Sequence, residues 1–518
     1  MKKIVIAVLS LFVCFSLSAS FSGIVSADPS VFISNYPLLS LGENRHVSGS
    51  EEAGWFETAQ DYYYRYFRQE GLLDLGLRLD DEHFSFVLDV DVRQTFTSFL
   101  KKRLYSNIPF VGNDLNAILD MNFPRTAYGE ISFDKFFLSI GRRPIGWGPG
   151  TYDFAIGSSV PFQDNIWFDY KTQAASASVT YNFVAIAFNT EALDNDNATE
   201  VIENYEAEKY DDIDEYRGIK TLLAHRIGFG WSNFRFSIGE LNLIYGEYPN
   251  LVDANPFGIY HNLFQDRKSN VMGYLEMEGL INLGNAGKLR VFGTFAMDDF
   301  DLPNEKAKNN GKPGAVGLSA GVQYHVLDGE ESVVMKSNSE KYRLSADSFR
   351  FENGLNLSYE FYFCSTYMYN RAAEEGKFTV PFKQYGSPTM REANAFFIGF
   401  QYGPNTMLHE FRTRYSSGKL EVEVGLGLLL RGDAYGIDSA YGKEYVKSDT
   451  NPDGIVDYDY RYRLYGDVIG TVLADASVKW LYAPGFQLQA NLNCAWDATH
   501  GRFSYTVGIS NRIDFLGK

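Results

Sequence analysis

The sequence predicts an all-β fold: a transmembrane antiparallel β-barrel of about 16–18 strands, with short helical elements at the periplasmic side or plug. Three observations lead there. Long runs alternate apolar and polar residues with period two. The composition is aromatic and glycine-rich, with 35 Tyr, 41 Phe, 6 Trp and 47 Gly in 518 residues. The chain begins like an exported protein yet has no later uncharged apolar run of about 18 residues that would cross a bilayer as a helix. A closed barrel is the other structure whose backbone is fully paired within lipid.

The export signal comes first. Lys2 and Lys3 give a positive start, Ile4 to Leu17 an apolar run, and Val25-Ser26-Ala27 a small-residue cleavage site. The expected division is a signal peptide at 1–27, an N-terminal periplasmic or plug segment at 28–70, and an outer-membrane barrel at 71–518. A retained anchor is the alternative, but the apolar run is shorter than the roughly 20 residues a spanning helix needs. Within 28–70, residues 51–68 (EEAGWFETAQDYYYRYFR) read as a short periplasmic or plug helix. So do residues 101–120.

The alternation then runs down the chain. Leu73, Leu75, Leu77 and Leu79 oppose Asp74, Gly76, Arg78 and Asp80. After a turn at Asp81-Glu82, the series from Phe84 to Val92 opposes Ser85, Asp89 and Asp91. Similar runs lie near 128–143, 173–190, 222–245, 270–283, 287–299, 313–326, 394–403, 406–415 and 467–482. Leu355 to Phe363, Leu420 to Leu430 and Phe486 to Trp496 are the clearest. A final run carries Tyr505, Val507, Ile509, Ile513 and Phe515. Such lengths suit tilted strands crossing a bilayer, which need about 9–11 residues. Strands of a soluble sandwich or propeller usually stop at about 5–6. The intervening segments 191–216, 328–349 and 433–466 read as outer loops. The first of these is strongly acidic; solvation by like charges and surface cation binding are both open readings.

Charge and cysteine content exclude some functions. The formal charge is −18, and losing Lys2 and Lys3 makes it −20. An acidic chain is not built for nucleic acid, which attracts basic surfaces. The expected partner on this ground is outer-membrane lipid. The oligomeric state is not encoded legibly. Cys364 and Cys494 read as small lipid-facing residues, with a disulfide as the alternative. The seven histidines, among them His46 and His261, form no metal or catalytic spacing, and no nucleophile motif is present. The chain reads as non-enzymatic and without a cofactor, apart from one candidate cation. Asp449, Asn451, Asp453, Gly454 and Asp457 occupy positions 1, 3, 5, 6 and 9 of a calcium loop, but Tyr460 replaces the closing glutamate. This is a degenerate Ca²⁺ loop or a turn-rich acidic segment.

One stretch breaks the pattern: SIGRRPIGWGPGTYDFAIGSSVPF, residues 139–162. Parity with Lys135, Ser139 and Gly141 turns Arg143 inward and leaves Arg142 at the rim, since arginine at mid-membrane on a lipid face costs ~2–4 kcal/mol. Arg143 then either pairs with a luminal acid or lines a constriction. Pro149 and the glycines end the strand. Trp147 either meets a sugar face or anchors at the interface.

The SIGRRPIGWGPG motif and the following SSVPF resemble the Wzi-type capsule-assembly proteins of the outer membrane. The stretches from His225, Asn255 and Phe292 are compatible with that family, so the likeness covers residues 128–303. The resemblance implies a barrel of about 18 strands and a non-catalytic, lectin-like role in surface polysaccharide assembly or attachment. It carries over to Gly141, Arg142, Trp147, Gly148, Pro149 and Gly150. Arg142, Arg143, Trp147, Gly148, Pro149 and Gly150 make the candidate ligand-binding or constriction set. A general or substrate-selective porin for small solutes is the alternative.

Overall fold

A computed structural model describes residues 22–35, 66, 70–94, 105–108, 124–188, 220–250, 252–253, 255, 258–260, 269–299, 315–326, 333–335, 349–351, 353–370, 376–382, 393–432 and 464–516. Its strands are β1 (Ser22–Ser34), β2 (Leu73–Asp80), β3 (Phe84–Val92), β4 (Tyr105–Ser106), β5 (Thr126–Ser132), β6 (Phe136–Arg143), β7 (Gln163–Ala174), β8 (Ala177–Ala187), β9 (Lys220–Gly230), β10 (Phe234–Tyr245), β11 (Ser269–Asn282), β12 (Lys288–Asp299), β13 (Ala315–Val326), β14 (Val333–Met335), β15 (Phe349–Phe351), β16 (Gly354–Cys364), β17 (Thr379–Phe382), β18 (Ala393–Phe397), β19 (Thr406–Ser417), β20 (Leu420–Gly432), β21 (Val468–Ala483), β22 (Phe486–Asp497) and β23 (Arg502–Leu516).

Eighteen of these form a closed antiparallel barrel. The two-residue β4 attaches to the end of β1, and β14–β15 and β17–β18 are separate hairpins. Closure is made by β1, which pairs with β2 on one side and β23 on the other. The outer wall is apolar: Val25, Leu75, Ile166, Ile238, Leu318, Leu426 and Ile509 are all exposed. Their strand neighbours turn inward and are polar, as with buried Glu130, Arg226, Glu276, Arg290 and Glu410. This is the alternation a lipid-facing barrel requires.

The termini share one end with tight turns such as 81–83, 133–135, 231–233 and 484–485. In outer-membrane barrels the short turns are periplasmic. Phe136, Trp231, Phe234, Trp480, Tyr482 and Phe486 ring that end on the lipid side, and Trp496 and Phe503 sit near the other. These are the aromatic girdles of a bilayer-spanning barrel.

The structure moves several sequence expectations. The barrel begins before residue 71, because Ser22–Ser34 is a wall strand; Asp28–Ser34 therefore belongs to the barrel and not to an N-terminal segment. Alternation missed it because Ala27, Asp28 and Pro29 blur the pattern. The strand Gln163–Ala174 is a full wall strand that no predicted run covered. Residues 394–403, expected as a wall strand, lie outside the ring: among the described residues β18 pairs only with β17. The segment 328–349 leaves β13 at the short-turn end, so it is on the periplasmic side and not an outer loop. Part of it tucks into the mouth, where the Phe349 amide donates to Glu278 Oε1 at 3.0 Å and the Phe351 ring stacks on His325 at 4.5 Å.

Cys364 shares parity with luminal Glu360 and Tyr362 and is buried, so it does not face lipid; Cys494 does. Both are free thiols, so the alternative disulfide is absent. Of the segments expected to be helical, 51–68 and 101–120, little beyond Tyr66 and β4 is described. Both leave the wall at the end opposite the termini. Tyr66 is fully buried, and its hydroxyl donates to Gln94 O at 3.1 Å. The acidic segment 191–216, His46, His261 and the calcium-loop residues Asp449, Asn451, Asp453 and Asp457 lie outside the described residues.

Candidate functional site

The motif that broke the alternation crosses the inside of the barrel. β6 ends at Arg143, and β7 begins at Gln163. Between them the chain turns inward, reaching the wall made by β12, β16 and β19 on the far side of the ring. Its turn is closed by an isolated antiparallel bridge, with the Trp147 amide donating to Ile156 O at 2.7 Å. Gly148 sits at φ +155°, and a Cβ there would strike the Asp153 carboxylate. This is a position that glycine fills without strain. A Cβ on Gly150 would come within 2.7 Å of the Tyr362 hydroxyl.

The far wall grips the tip of this segment. Arg290 Nη2 donates to Pro149 O at 2.6 Å. The Thr151 amide and hydroxyl donate to the two Glu360 carboxylate oxygens at 2.8 and 2.9 Å. The Tyr152 amide donates to Tyr362 Oη at 3.1 Å, and the Tyr152 hydroxyl donates to Glu410 Oε1 at 3.0 Å. Burial pushes the Tyr152 phenol well above its ordinary value, so it remains a donor at any physiological pH.

A second segment, between β16 and β19, folds in to meet it. Tyr369 Oη donates to Phe154 O at 2.7 Å and accepts from the Phe400 amide at 2.9 Å. The Gly157 amide donates to Ile398 O at 2.6 Å. A Cβ on either Gly157 or Gly399 would run into the other segment's backbone, so two glycines set this approach. The second segment is tied to another part of the wall as well. Lys220 Nζ donates to Lys377 O at 2.8 Å and Asn270 Nδ2 to Gly376 O at 2.9 Å. Aromatic rings fill the junction: Phe154, Tyr362, Phe400 and Tyr402 pack with centroids 5.2–6.1 Å apart.

The predicted site residues separate within this arrangement. Arg143 points inward, is fully buried, and pairs with Glu130; its guanidinium lies over the rings of Tyr128 and Trp167 at 4.3 and 4.7 Å. Arg142 stays at the rim, partly exposed, and makes a two-point contact with Asp164 at 2.7 and 2.8 Å. Trp147 is fully buried, edge-on to Tyr274 and beneath the guanidinium of Arg226 at 4.7 Å. It faces no open surface in this conformation. Arg226 is itself held by Glu276 at 2.7 Å and Asn182 at 2.7 Å. The motif thus builds a bridge through the lumen. Glu360, Tyr362, Glu410 and Arg290, which hold its far end, escaped the sequence reading; the inward parity of Glu360 was the available signal.

No family model and no curated protein sequence matches this chain. Solved structures do. Wzi of Escherichia coli, described as an outer membrane protein involved in group 1 capsule assembly and a carbohydrate-binding β-barrel, aligns over 100 % of this chain and 88 % of its own at a TM-score of 0.50 and 10 % identity. OccK10 (OpdN) of Pseudomonas aeruginosa aligns over 96 % and 99 % at 0.40 and 10 %. OprD of the same organism aligns over 96 % and 95 % at 0.39 and 9 %. At these identities the likeness is one of fold. The fold is that of a bacterial outer-membrane β-barrel, in keeping with the apolar wall and its aromatic rings.

Proposed function

We propose that this barrel holds surface polysaccharide at the outer membrane as a non-catalytic, lectin-like protein serving its assembly or attachment. The observation that carries the reading is the bridge of residues 144–162, pinned across the lumen by Arg290, Glu360, Tyr362 and Glu410. A diffusion pore keeps its lumen open, whereas 16–18 strands enclose an aqueous channel unless something fills it. The motif resemblance over residues 128–303 and the fold likeness to a carbohydrate-binding barrel support the same reading. In this reading Arg143, Trp147, Gly148, Pro149 and Gly150 shape the bridge. Arg142, partly exposed at the rim beside Asp164, is in this reading the member proposed to meet a glycan.

Two measurements test the proposal. In planar bilayers the purified protein is expected to give no large, stable conductance steps; such steps would establish the porin alternative instead. Capsular polymer added to the detergent-solubilised protein is expected to bind, and Arg142→Ala to weaken that binding. A failure to bind any exported polysaccharide removes the lectin reading.

A further inference from the structure

A polar patch on β8, β9 and β10 interrupts the lipid-facing wall. Inward Arg226 fixes the parity of β9, so His225 points outward with exposed Ile227 and Phe229. Glu240 stands directly opposite His225, and Asn242 opposite Leu223, on the face that carries exposed Ile238. The chain that follows β10 lies over this face: the Tyr260 ring stacks on His225 at 4.5 Å, and the Tyr260 amide donates to Glu240 Oε2 at 2.8 Å. We propose that the patch binds the head group of an uncharged, hydroxyl-bearing amphiphile seated in the outer leaflet.

Unmet hydrogen bonds carry the argument. Asn242 is fully buried, yet neither its Oδ1 nor its Nδ2 has a partner. His225 Nδ1 and Tyr181 Oη, on the same face of the neighbouring strands, are buried and unmatched as well. A polar group shielded from water is costly unless it is hydrogen-bonded, and within lipid no water replaces the partner. A hydroxyl both donates and accepts, which matches an amide, an imidazole and a phenol together. Among the described residues, the outward positions of β8 to β11 carry no lysine or arginine. A phosphate head group would therefore meet the Glu240 carboxylate without a counter-charge.

The wall around the patch suits the rest of the amphiphile. Gly273 faces Glu240 across the β10–β11 ladder, and a Cβ there would meet nothing within 4 Å. The wall is thus open beside the carboxylate, which is itself partly exposed. Toward the short 231–233 turn the flanking side chains are Ile238, Met277 and Phe295, all exposed and apolar. Polar groups toward the outer end and apolar groups toward the midplane match the orientation of an outer-leaflet lipid. The patch lies outside the barrel and the bridge inside it, so this inference and the polysaccharide reading stand or fall separately.

The test is native mass spectrometry of the full-length protein in lauryldimethylamine oxide, a detergent without hydroxyls, titrated with monoolein. Methyl oleate, oleoyl lysophosphatidate and oleylamine carry a like chain on an apolar, an anionic and a cationic head. Monoolein is expected to bind about tenfold tighter than methyl oleate. Asn242→Leu is expected to weaken monoolein about tenfold, while Leu426→Ala, exposed on a distant strand, leaves it unchanged. Heat-modifiable gel migration reports whether each variant folds, and His225→Phe replaces Asn242→Leu if the latter does not. The leucine removes a buried amide that has no partner, so the unliganded Asn242→Leu protein is expected to melt no lower than the parent. Lower melting with unchanged monoolein binding would confine the patch to holding the chain over the wall, and would overturn the proposal. So would equal binding of monoolein and methyl oleate, or tighter binding of the phosphate or the amine than of monoolein.

Discussion

Arg142 and Arg143 are neighbours in sequence and meet opposite surroundings. Strand parity alone separates them, because successive side chains leave a strand on opposite faces. Arg142 stays near water with Asp164, where an ion pair contributes little. Arg143 is fully buried with Glu130, where losing one partner leaves an unpaired charge. Glu130→Leu is therefore expected to destabilise the barrel by about 3–5 kcal/mol, and the double variant Arg143→Met/Glu130→Leu to recover most of that. Urea unfolding of the protein in lipid vesicles measures both. A double variant as unstable as the single one would show that Arg143 acts through its stacking on Tyr128 and Trp167 and not through its charge. The inward turn of Arg143 was legible in the sequence. Its partner was not, since Glu130 is one of many inward acids and only register places it across from Ser139, four residues before the arginine and on the same face. The burial of Trp147 was equally illegible: a glycine-proline turn permits an exposed ring or a buried one, and the choice is made by Tyr274 and Arg226 on distant strands.

Elements with strong, uninterrupted alternation were readable, and those assembled by distant contacts were not. The runs from Leu420 and Phe486 have no competing pattern and form wall strands. Phe396 to Tyr402 is as aromatic as a wall strand but lies in an inward segment, because its partners are Phe154, Tyr362 and Tyr369 rather than lipid. The first strand was hidden for a different reason: its sequence, SGIVSADPSVFIS, contains the small-residue pattern that also marks a cleavage site. Cutting after Ala27 would remove the half of β1 that pairs with Leu75–Asp80 on one side and Ile513–Leu516 on the other. Both neighbours would then carry unpaired backbone groups at the seam, which a bilayer does not tolerate. Ser18-Ala19-Ser20 offers another small-residue site. The mature chain is accordingly predicted to begin at Phe21, a result read directly from the intact mass of protein purified from outer membranes. A mass matching a start at Asp28 would show that the seam closes without the first half of the strand.

The molecule as a whole is a wide ring crossed from within by two inward segments. Its wall is repetitive and local: each strand pairs with the next in sequence, save where an inward segment intervenes, so alternation and turn signals were enough to foresee it. Its filling is non-local, built from two connections whose anchors lie hundreds of residues away, such as Thr151 on Glu360 and Tyr369 on Phe154. This division makes wall and filling separable. The backbone pairing of the wall does not pass through the bridge, and β6 is paired with β7 along the whole length of β6. Replacing residues 146–161 by a short glycine-serine turn should therefore leave a heat-modifiable barrel. It should also leave the facing polar groups of Arg290, Glu360, Tyr362 and Glu410 around open water, since a ring of this strand number encloses an aqueous channel when unfilled. The shortened protein is expected to give stable conductance steps in planar bilayers where the full chain gives none. Steps that appear only when residues 376–400 are removed as well would place the main barrier in the second segment. A folded protein that stays silent after both changes would mean that the lumen is closed by residues other than these two segments.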